Sequence, residues 1–291
     1  MKKEILPARI ERRQIFAMCL VKNEVDIIAE CLLSAAKWCD AIYVYDNGSD
    51  DGTWEIVVKL AETLSCLIPF KQDNAPFRDS LRGEIFEQYR HQSTQGEWWC
   101  RLDADEFYID DPRIFLAKVP SSFDVVWSAK FQYYFTEQEL ARYELDPHAF
   151  DDNVPVAQKC QHYLNNWSEP RFFRYHPQLS YREGDWPRPL GPSFPERIRV
   201  KHFQYRSPSQ ISKRLATRRE AMVAGMFRHE AVPDWSRRIA FRLPGLPKSV
   251  SSYSPASWRE RIADSRYLLI DDGTGSYNVD RRALPPVRQL S

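Results

Sequence analysis

Trp98-Trp99-Cys100-Arg101-Leu102-Asp103-Ala104-Asp105-Glu106 runs from an apolar stretch directly into three carboxylates within four residues. A short apolar run bounded by polar residues has the length of a buried strand. The spacing therefore predicts a strand over Glu97 to Leu102 that delivers Asp103 at its end. In extended backbone, residues i and i+2 point to one side, so Asp103 and Asp105 are expected to face the same way, with Ala104 facing the other. Two oxygen ligands at the end of a buried strand suit a hard divalent cation, Mg²⁺ or Mn²⁺, which commonly shares its shell with phosphate and water.

Upstream, Ile15 to Val21 and Ala41 to Tyr45 are two further apolar runs of strand length. The first leads through Asn23-Glu24 into apolar positions Ile28, Cys31, Leu32, Ala35 and Cys39 at helical spacing. The second leads through Asp46-Asn47-Gly48-Ser49-Asp50-Asp51-Gly52-Thr53, rich in turn and capping chemistry, into a helix over Trp54 to Leu64. Cys66 to Phe70 is a third strand, and Asp79 to Gln95 reads as a helix on Leu81, Ile85, Phe86 and Tyr89. Alternating strands and helices predict an α/β sheet with parallel members and crossover helices. Ligands in such sheets bind beyond the carboxyl ends of the strands, where Asn23, Asp46 and Asp103 all fall.

Asp124 to Phe135 is aromatic strand material, Leu145 to Pro195 reads as loops with short strands, and Val200 to Tyr205 is a last strand. Ser207-Pro208-Ser209-Gln210 has the cap, first-turn proline and reciprocal glutamine of a capping box, opening a helix on Ile211, Leu215, Met222, Val223 and Met226. The 291-residue chain has a net charge of only +1, yet Arg197 to Arg242 holds twelve Lys/Arg against three Asp/Glu. That basic stretch is read as a solvated helical face, a diphosphate site or a contact with an anionic membrane surface; nucleic acid is not an expected partner. The six cysteines form no CxxC pair and sit mostly in apolar runs, as buried hydrophobes do. Met1 to Arg13 is charged and lacks an apolar core, so no secretory signal is expected. No stretch reaches the ~20 apolar residues of a membrane span, which predicts a cytoplasmic protein, peripheral at most to the membrane's inner face.

Three segments, Met18-Cys19-Leu20-Val21-Lys22-Asn23-Glu24, Tyr45-Asp46-Asn47-Gly48-Ser49-Asp50-Asp51-Gly52-Thr53 and Leu102-Asp103-Ala104-Asp105-Glu106-Phe107, occur in order over residues 14 to 110. Together they resemble family 2 type glycosyltransferases of the GT-A fold, in the bacterial branch with "KNE" and "DxDE" segments. The resemblance implies a mixed, mainly parallel central sheet flanked by helices. It implies a nucleotide-sugar donor, a UDP-sugar being favoured, and a carbohydrate or lipid-linked acceptor in cell-surface polysaccharide or lipopolysaccharide synthesis. Asn23 and Asp46 would hold the nucleoside and Arg82 the diphosphate. Asp103 and Asp105, completed by a late His202, would hold Mn²⁺ or Mg²⁺. The expected division is a nucleotide-sugar half (14–110), an acceptor half with the metal-ligand strand and basic helix (111–230) and a basic, Pro-rich extension (231–291).

For the catalytic base the candidates are Glu169, Glu183, Asp185 and Glu196. Asp185 is favoured because Gly184 and Trp186 would make an exposed turn beside an aromatic on which a sugar can stack. A nucleotidyltransferase is a competing reading, but it would normally carry an early glycine-rich phosphate loop, and residues 18 to 26 contain no glycine. A carbohydrate- or membrane-binding module that has lost catalysis is a second competitor, disfavoured by the intact Asp103 and Asp105.

Overall fold

The computed structural model describes residues 13–181, 184–223 and 258–279. Its first half is β1 (Ile15–Val21), α1 (Ile28–Ala35), β2 (Ala41–Asp46), α2 (Thr53–Ala61), β3 (Leu67–Gln72), α3 (Arg82–Tyr89) and β4 (Trp98–Asp103). These are the runs read from the sequence. The strands β3-β2-β1-β4 lie side by side and pair in parallel throughout. β1 is buried at all seven positions, because Ile15, Ala17, Cys19 and Val21 face one helical layer while Phe16, Met18 and Leu20 face the other. A strand covered on both faces reads as a continuous apolar run rather than an alternating one.

One layer packs α1 and α2 residues such as Ile28, Cys31, Leu32 and Val57 on the sheet. The other puts Ile85 and Phe86 of α3 against Trp99, whose ring stacks on Phe16 at 5.1 Å and on Tyr43 at 5.9 Å. Five of the six cysteines are buried.

Beyond β4 the chain forms β5 (Glu106–Tyr108), α4 (Pro112–Ala117), β6 (Val125–Tyr134), α5 (Glu137–Leu145), α6 (Val156–Lys159), β7 (His162–Trp167), β8 (Pro170–Arg174), β9 (Ser193–Phe203), α7 (Pro208–Val223) and β10 (Leu269–Ile270). The sheet continues from β4 through β8, β6 and β7 to β10, antiparallel at each step. The result is a mixed sheet flanked by helices, parallel over the half that carries the three motifs. Residues 224–257 and 280–291, including Met226 and most of the expected 231–291 extension, lie outside the described residues. The described part of that extension returns to the sheet through β10, and the Ala263 N–H donates to the Phe135 carbonyl at 2.8 Å.

β7 and β8 are short strands within the stretch read as loops with short strands, whereas β9 departs from the sequence reading by beginning at Ser193 rather than Val200. Along β9, Ile198, Val200 and His202 point inward while Arg197, Arg199 and Lys201 are half-exposed. That is a two-residue alternation masked by its charged outer face. β9 matters to the site because it pairs with β5 on one side, Glu106 opposite His202, and with β6 on the other, Gln132 opposite His202.

Candidate active site

The carboxyl ends of β1, β2 and β4 open into a cavity of about 630 Å³, within the range of small-molecule sites. The loop after β1 supplies Lys22, Asn23 and Glu24 to its wall, the loop after β2 supplies Asn47, and β4 with its turn supplies Arg101, Asp103 and Asp105. The loop is held in place by Asn23, whose φ of +57° is a left-handed conformation that asparagine tolerates better than most residues. Its N–H donates to Ser49 Oγ at 2.9 Å, and its Oδ1 accepts from the Asp50 N–H at 3.0 Å. Gly48, at φ +76°, closes the same junction; a Cβ there would lie 1.8 Å from Asn74 Oδ1.

Asp103 ends β4, but Ala104 and Asp105 form a turn rather than extended chain, so the expected same-side geometry is replaced by a different route to one cavity. Asp103 accepts from Arg82 at 2.5 Å on Oδ1 and from Arg171 at 2.8 Å on Oδ2. Asp105 instead faces His202, its Oδ2 standing 3.4 Å from Nε2, with Arg214 at 3.7 Å. Register explains the meeting. β9 lays His202 beside Glu106, and the Phe203 N–H donates to the Asp105 carbonyl at 3.0 Å.

Burial opposes ionisation of Asp103, yet Arg171, Arg82 and Arg101 outweigh it and hold the carboxyl well below the usual range. Burial likewise opposes ionisation of Asp105, and His202, Arg214 and Arg206 overcome it. Both are therefore carboxylates at neutral pH, the state a cation requires.

Asp105 and His202 fit a divalent cation. Two neighbouring octahedral ligands at about 2.1 Å from Mg²⁺ stand about 3 Å apart, close to the 3.4 Å between Asp105 Oδ2 and His202 Nε2. The other imidazole nitrogen lies 3.5 Å from the Gln132 amide, the kind of outer contact that orients a ligating histidine.

Asp103 belongs to another group. Its carboxylate and those of Glu106 and Glu169 come within 4.8 Å of one another, but cations of the protein already occupy that cluster. Arg171 Nη2 donates to Asp103, Glu106 and Glu169 at 2.8, 2.6 and 2.7 Å, and Lys130 Nζ contacts Glu106 at 2.6 Å and also Glu169. Burial raises the proton affinity of Glu106 against the pull of Arg171 and Lys130. For Glu169 those same two cations prevail over burial and bring the carboxyl down to about 2.

The remaining expected residues fall in distinct places. Arg82 lines the cavity, buried, and bridges Asp103 and Asp79, the latter at 2.9 Å. Asp46 is fully buried behind the lining, where its Oδ1 accepts from the Ser49 N–H at 2.7 Å; its neighbour Asn47 reaches the cavity. Asp185 is exposed and outside the lining, within electrostatic reach of Asp79, Arg101 and Arg82; burial and Asp79 raise its proton affinity. Of the other base candidates, Glu169 lines the cavity, Glu196 is exposed on β9, and Glu183 lies outside the described residues.

The basic helix is the main surprise. Ile211 and Leu215 of α7 are buried in the core, while Arg214, Thr217 and Arg218 line the cavity. Ser207 Oγ accepts from the Gln210 N–H at 3.2 Å as a cap should, but the Gln210 side chain accepts from the Arg206 N–H instead of closing the box. Arg206, fully buried, bonds Asp26, the Phe203 carbonyl and Glu24, pinning the start of α7 to the loop after β1. Arg214 then spans Glu24 at 3.3 Å and Asp105 at 3.7 Å. Sequence reasoning left open which way this basic face turns, and it missed Arg171 and Lys130 entirely. A lysine in the middle of the aromatic run Val125–Tyr134 was the available signal, since lysine is almost never fully buried unless paired.

No protein-family model matches the chain, and no curated protein matches it in sequence. Among solved structures it is similar to the mannosyltransferase PcManGT from Pyrobaculum calidifontis in complex with GDP-Man and Mn²⁺, at 21% identity and a TM-score of 0.34, over 41% of this chain and 36% of that one. It is also similar to glucosyl-3-phosphoglycerate synthase from Mycobacterium tuberculosis in complex with phosphoglyceric acid, at 17% identity and a TM-score of 0.29, over 56% and 57%. A third, GalNAc-T7 with UDP, GalNAc and Mn²⁺, aligns at 13% identity and a TM-score of 0.37, over 80% and 52%. The chain thus spans under two thirds of each of these chains. At such scores the likeness is partial, and the chemistry of the site rests on its own residues.

Among the described residues no helix is long and apolar enough to cross a membrane.

Proposed function

We propose that this chain is a metal-dependent glycosyltransferase that takes its sugar from a nucleotide-diphosphate-sugar, a UDP-sugar in the favoured case, and passes it to a carbohydrate or lipid-linked acceptor. The observation that carries the reading is the Asp105–His202 pair, 3.4 Å apart, in a cavity also lined by Arg82, Arg214 and Arg218 at the carboxyl ends of parallel strands. One cation site beside several guanidinium groups is the arrangement a metal-bound diphosphate needs, since Arg is well shaped for phosphate oxygens. Asp105 and His202 would hold Mn²⁺ or Mg²⁺, which when bound supplies neutralisation of the charge on the leaving diphosphate. Asn23 and Asn47, with Asp46 bracing their junction from behind, would hold the nucleoside. Assembly of cell-surface polysaccharide at the inner face of a membrane is the setting proposed from the motif resemblance.

The acceptor's proton needs a carboxylate of suitable basicity, ideally one titrating near the working pH. Glu169 on the cavity wall is held at about 2 by Arg171 and Lys130, which makes it a weak base. Asp185, outside the lining but within electrostatic reach of the cavity residues Asp79, Arg101 and Arg82 and with a raised proton affinity, is the group we assign. Asp185→Asn is expected to lower transfer at least 50-fold while leaving nucleoside-diphosphate affinity within twofold. A variant with wild-type turnover would remove Asp185 from the mechanism.

The parent reading is tested by incubating the protein with a panel of nucleotide sugars, with and without Mn²⁺ and acceptor extract. Donor-specific, metal-dependent release of nucleoside diphosphate is expected. Release of pyrophosphate from a sugar phosphate and a nucleoside triphosphate would favour the nucleotidyltransferase instead, and no turnover with any donor would favour a non-catalytic module.

A further inference from the structure

β7 ends at Trp167 and β8 begins at Pro170, and the two residues between them are fixed to β6 from both sides. Ser128 donates to the Glu169 carbonyl from its N–H at 2.8 Å and from its Oγ at 3.1 Å, while Ser168 Oγ returns a bond to the Ser128 carbonyl at 2.6 Å. Ser168 is thereby buried, and Trp167 and Glu169, one residue to either side of it, both line the cavity. Trp167 is 38% exposed, unusual for so large a ring on a segment so firmly held. Glu169 Oε1 meets both Arg171 and Lys130. The glutamines Gln132 and Gln204 line the same cavity.

We infer that Trp167 and Glu169 form the acceptor subsite and that the acceptor group they take is a pyranose. The inference rests on the transferase reading above and extends it to the second substrate. A pyranose presents an apolar, slightly positive C–H face on one side and hydroxyls around its rim. The negative face of an indole matches the first. A carboxylate oxygen accepting a hydroxyl proton, a charge-assisted bond, and nearby side-chain amides match the second. Because Arg171 and Lys130 keep Glu169 ionised, that acceptor oxygen is present throughout the physiological range. Because backbone bonds hold the segment, the pair is pre-organised, and little conformational freedom is lost on binding. A lipid chain would find no use for the carboxylate, and a bare phosphate would be repelled by it.

The test is saturation-transfer NMR on the full chain with UDP and Mg²⁺ present, against a panel of p-nitrophenyl glucoside, galactoside, mannoside and rhamnoside. At least one glycoside is expected to receive saturation at its ring protons. Its affinity should fall at least tenfold in Trp167→Ala, recover to within threefold in Trp167→Phe, and fall at least fivefold in Glu169→Gln. Trp167 is partly exposed, so Trp167→Ala is expected to melt within about 3 °C of the parent, which separates a lost subsite from a lost fold. Wild-type affinity in Trp167→Ala, or no binding of any glycoside by the parent protein, overturns the inference. A parallel UDP titration of the parent protein tests the donor reading by itself: absent UDP binding with Trp167-dependent glycoside binding would sink the donor and spare the acceptor subsite.

Discussion

Asp105→Asn is expected to lower the Mn²⁺-dependent affinity for nucleoside diphosphate at least a hundredfold, about 2.7 kcal/mol, while leaving the weak metal-independent component unchanged. The asparagine keeps the volume of a side chain that is only 5% exposed, so packing is preserved and only the anionic ligand is lost. His202 alone would then remain as a ligand, and one imidazole with no carboxylate beside it is a poor site for a hard cation. Arg214 keeps its other partner, Glu24, at 3.3 Å, so the variant leaves no buried charge stranded. Calorimetric titration of UDP and GDP, with and without Mn²⁺, reads the effect directly. Metal-dependent affinity within threefold of the parent protein would show that Asp105 is not a ligand and would dismantle the proposed cation site.

The parts of this site that the sequence made legible are those whose burial is apolar. β1, β2 and β4 are runs of hydrophobic residues, so their ends, and with them Asn23, Asp46 and Asp103, were placed correctly along the chain. Turns and electrostatics were less visible. Asp46 and Asn47 differ by one position, and only the bonds of the loop decide that Asn47 faces the cavity while Asp46 braces Ser49. Short strands were expected between Leu145 and Pro195, but the positions of β7 and β8 were not legible because His162-Tyr163-Leu164-Asn165-Asn166-Trp167 and Pro170-Arg171-Phe172-Phe173-Arg174 bury polar groups: Asn165 donates to the Lys130 carbonyl at 3.0 Å, and Arg174 lies over Trp98 at 4.3 Å. Hydropathy counts such residues as exposed, whereas their partners, distant in sequence, make burial tolerable. The basic stretch is the converse case. Its charge was plain, but only the packing of Ile211 and Leu215 turns Arg214 and Arg218 toward the cavity.

Arg171→Met should be the most destabilising single change in the described molecule. Arg171 is fully buried, and one of its nitrogens serves Asp103, Glu106 and Glu169 together. Removing one partner from a buried ionic group typically costs 3–5 kcal/mol, because the charge left behind is uncompensated. For a chain of this size that corresponds to a loss of roughly 10 °C in melting temperature. The pH dependence identifies the cause. In the parent protein the depressed carboxyls of Asp103 and Glu169 contribute stability that is present above about pH 4, the range of unfolded carboxylates. That contribution is lost as pH falls toward the folded value, about 2 for Glu169. Without Arg171 the sign reverses. Burial, which already raises Glu106, raises its neighbours too, and a carboxyl with a raised proton affinity costs stability above its folded pKa and ceases to do so as pH falls through it. The gap in melting temperature between the parent protein and Arg171→Met is therefore expected to narrow on going from pH 8 to pH 5, and Arg171→Lys, which keeps one charge but not the forked donor set, should fall between them. A gap that stays constant with pH would mean that Arg171 acts through its packed volume, and that the carboxylates around it are held by Lys130, Arg82 and Arg101.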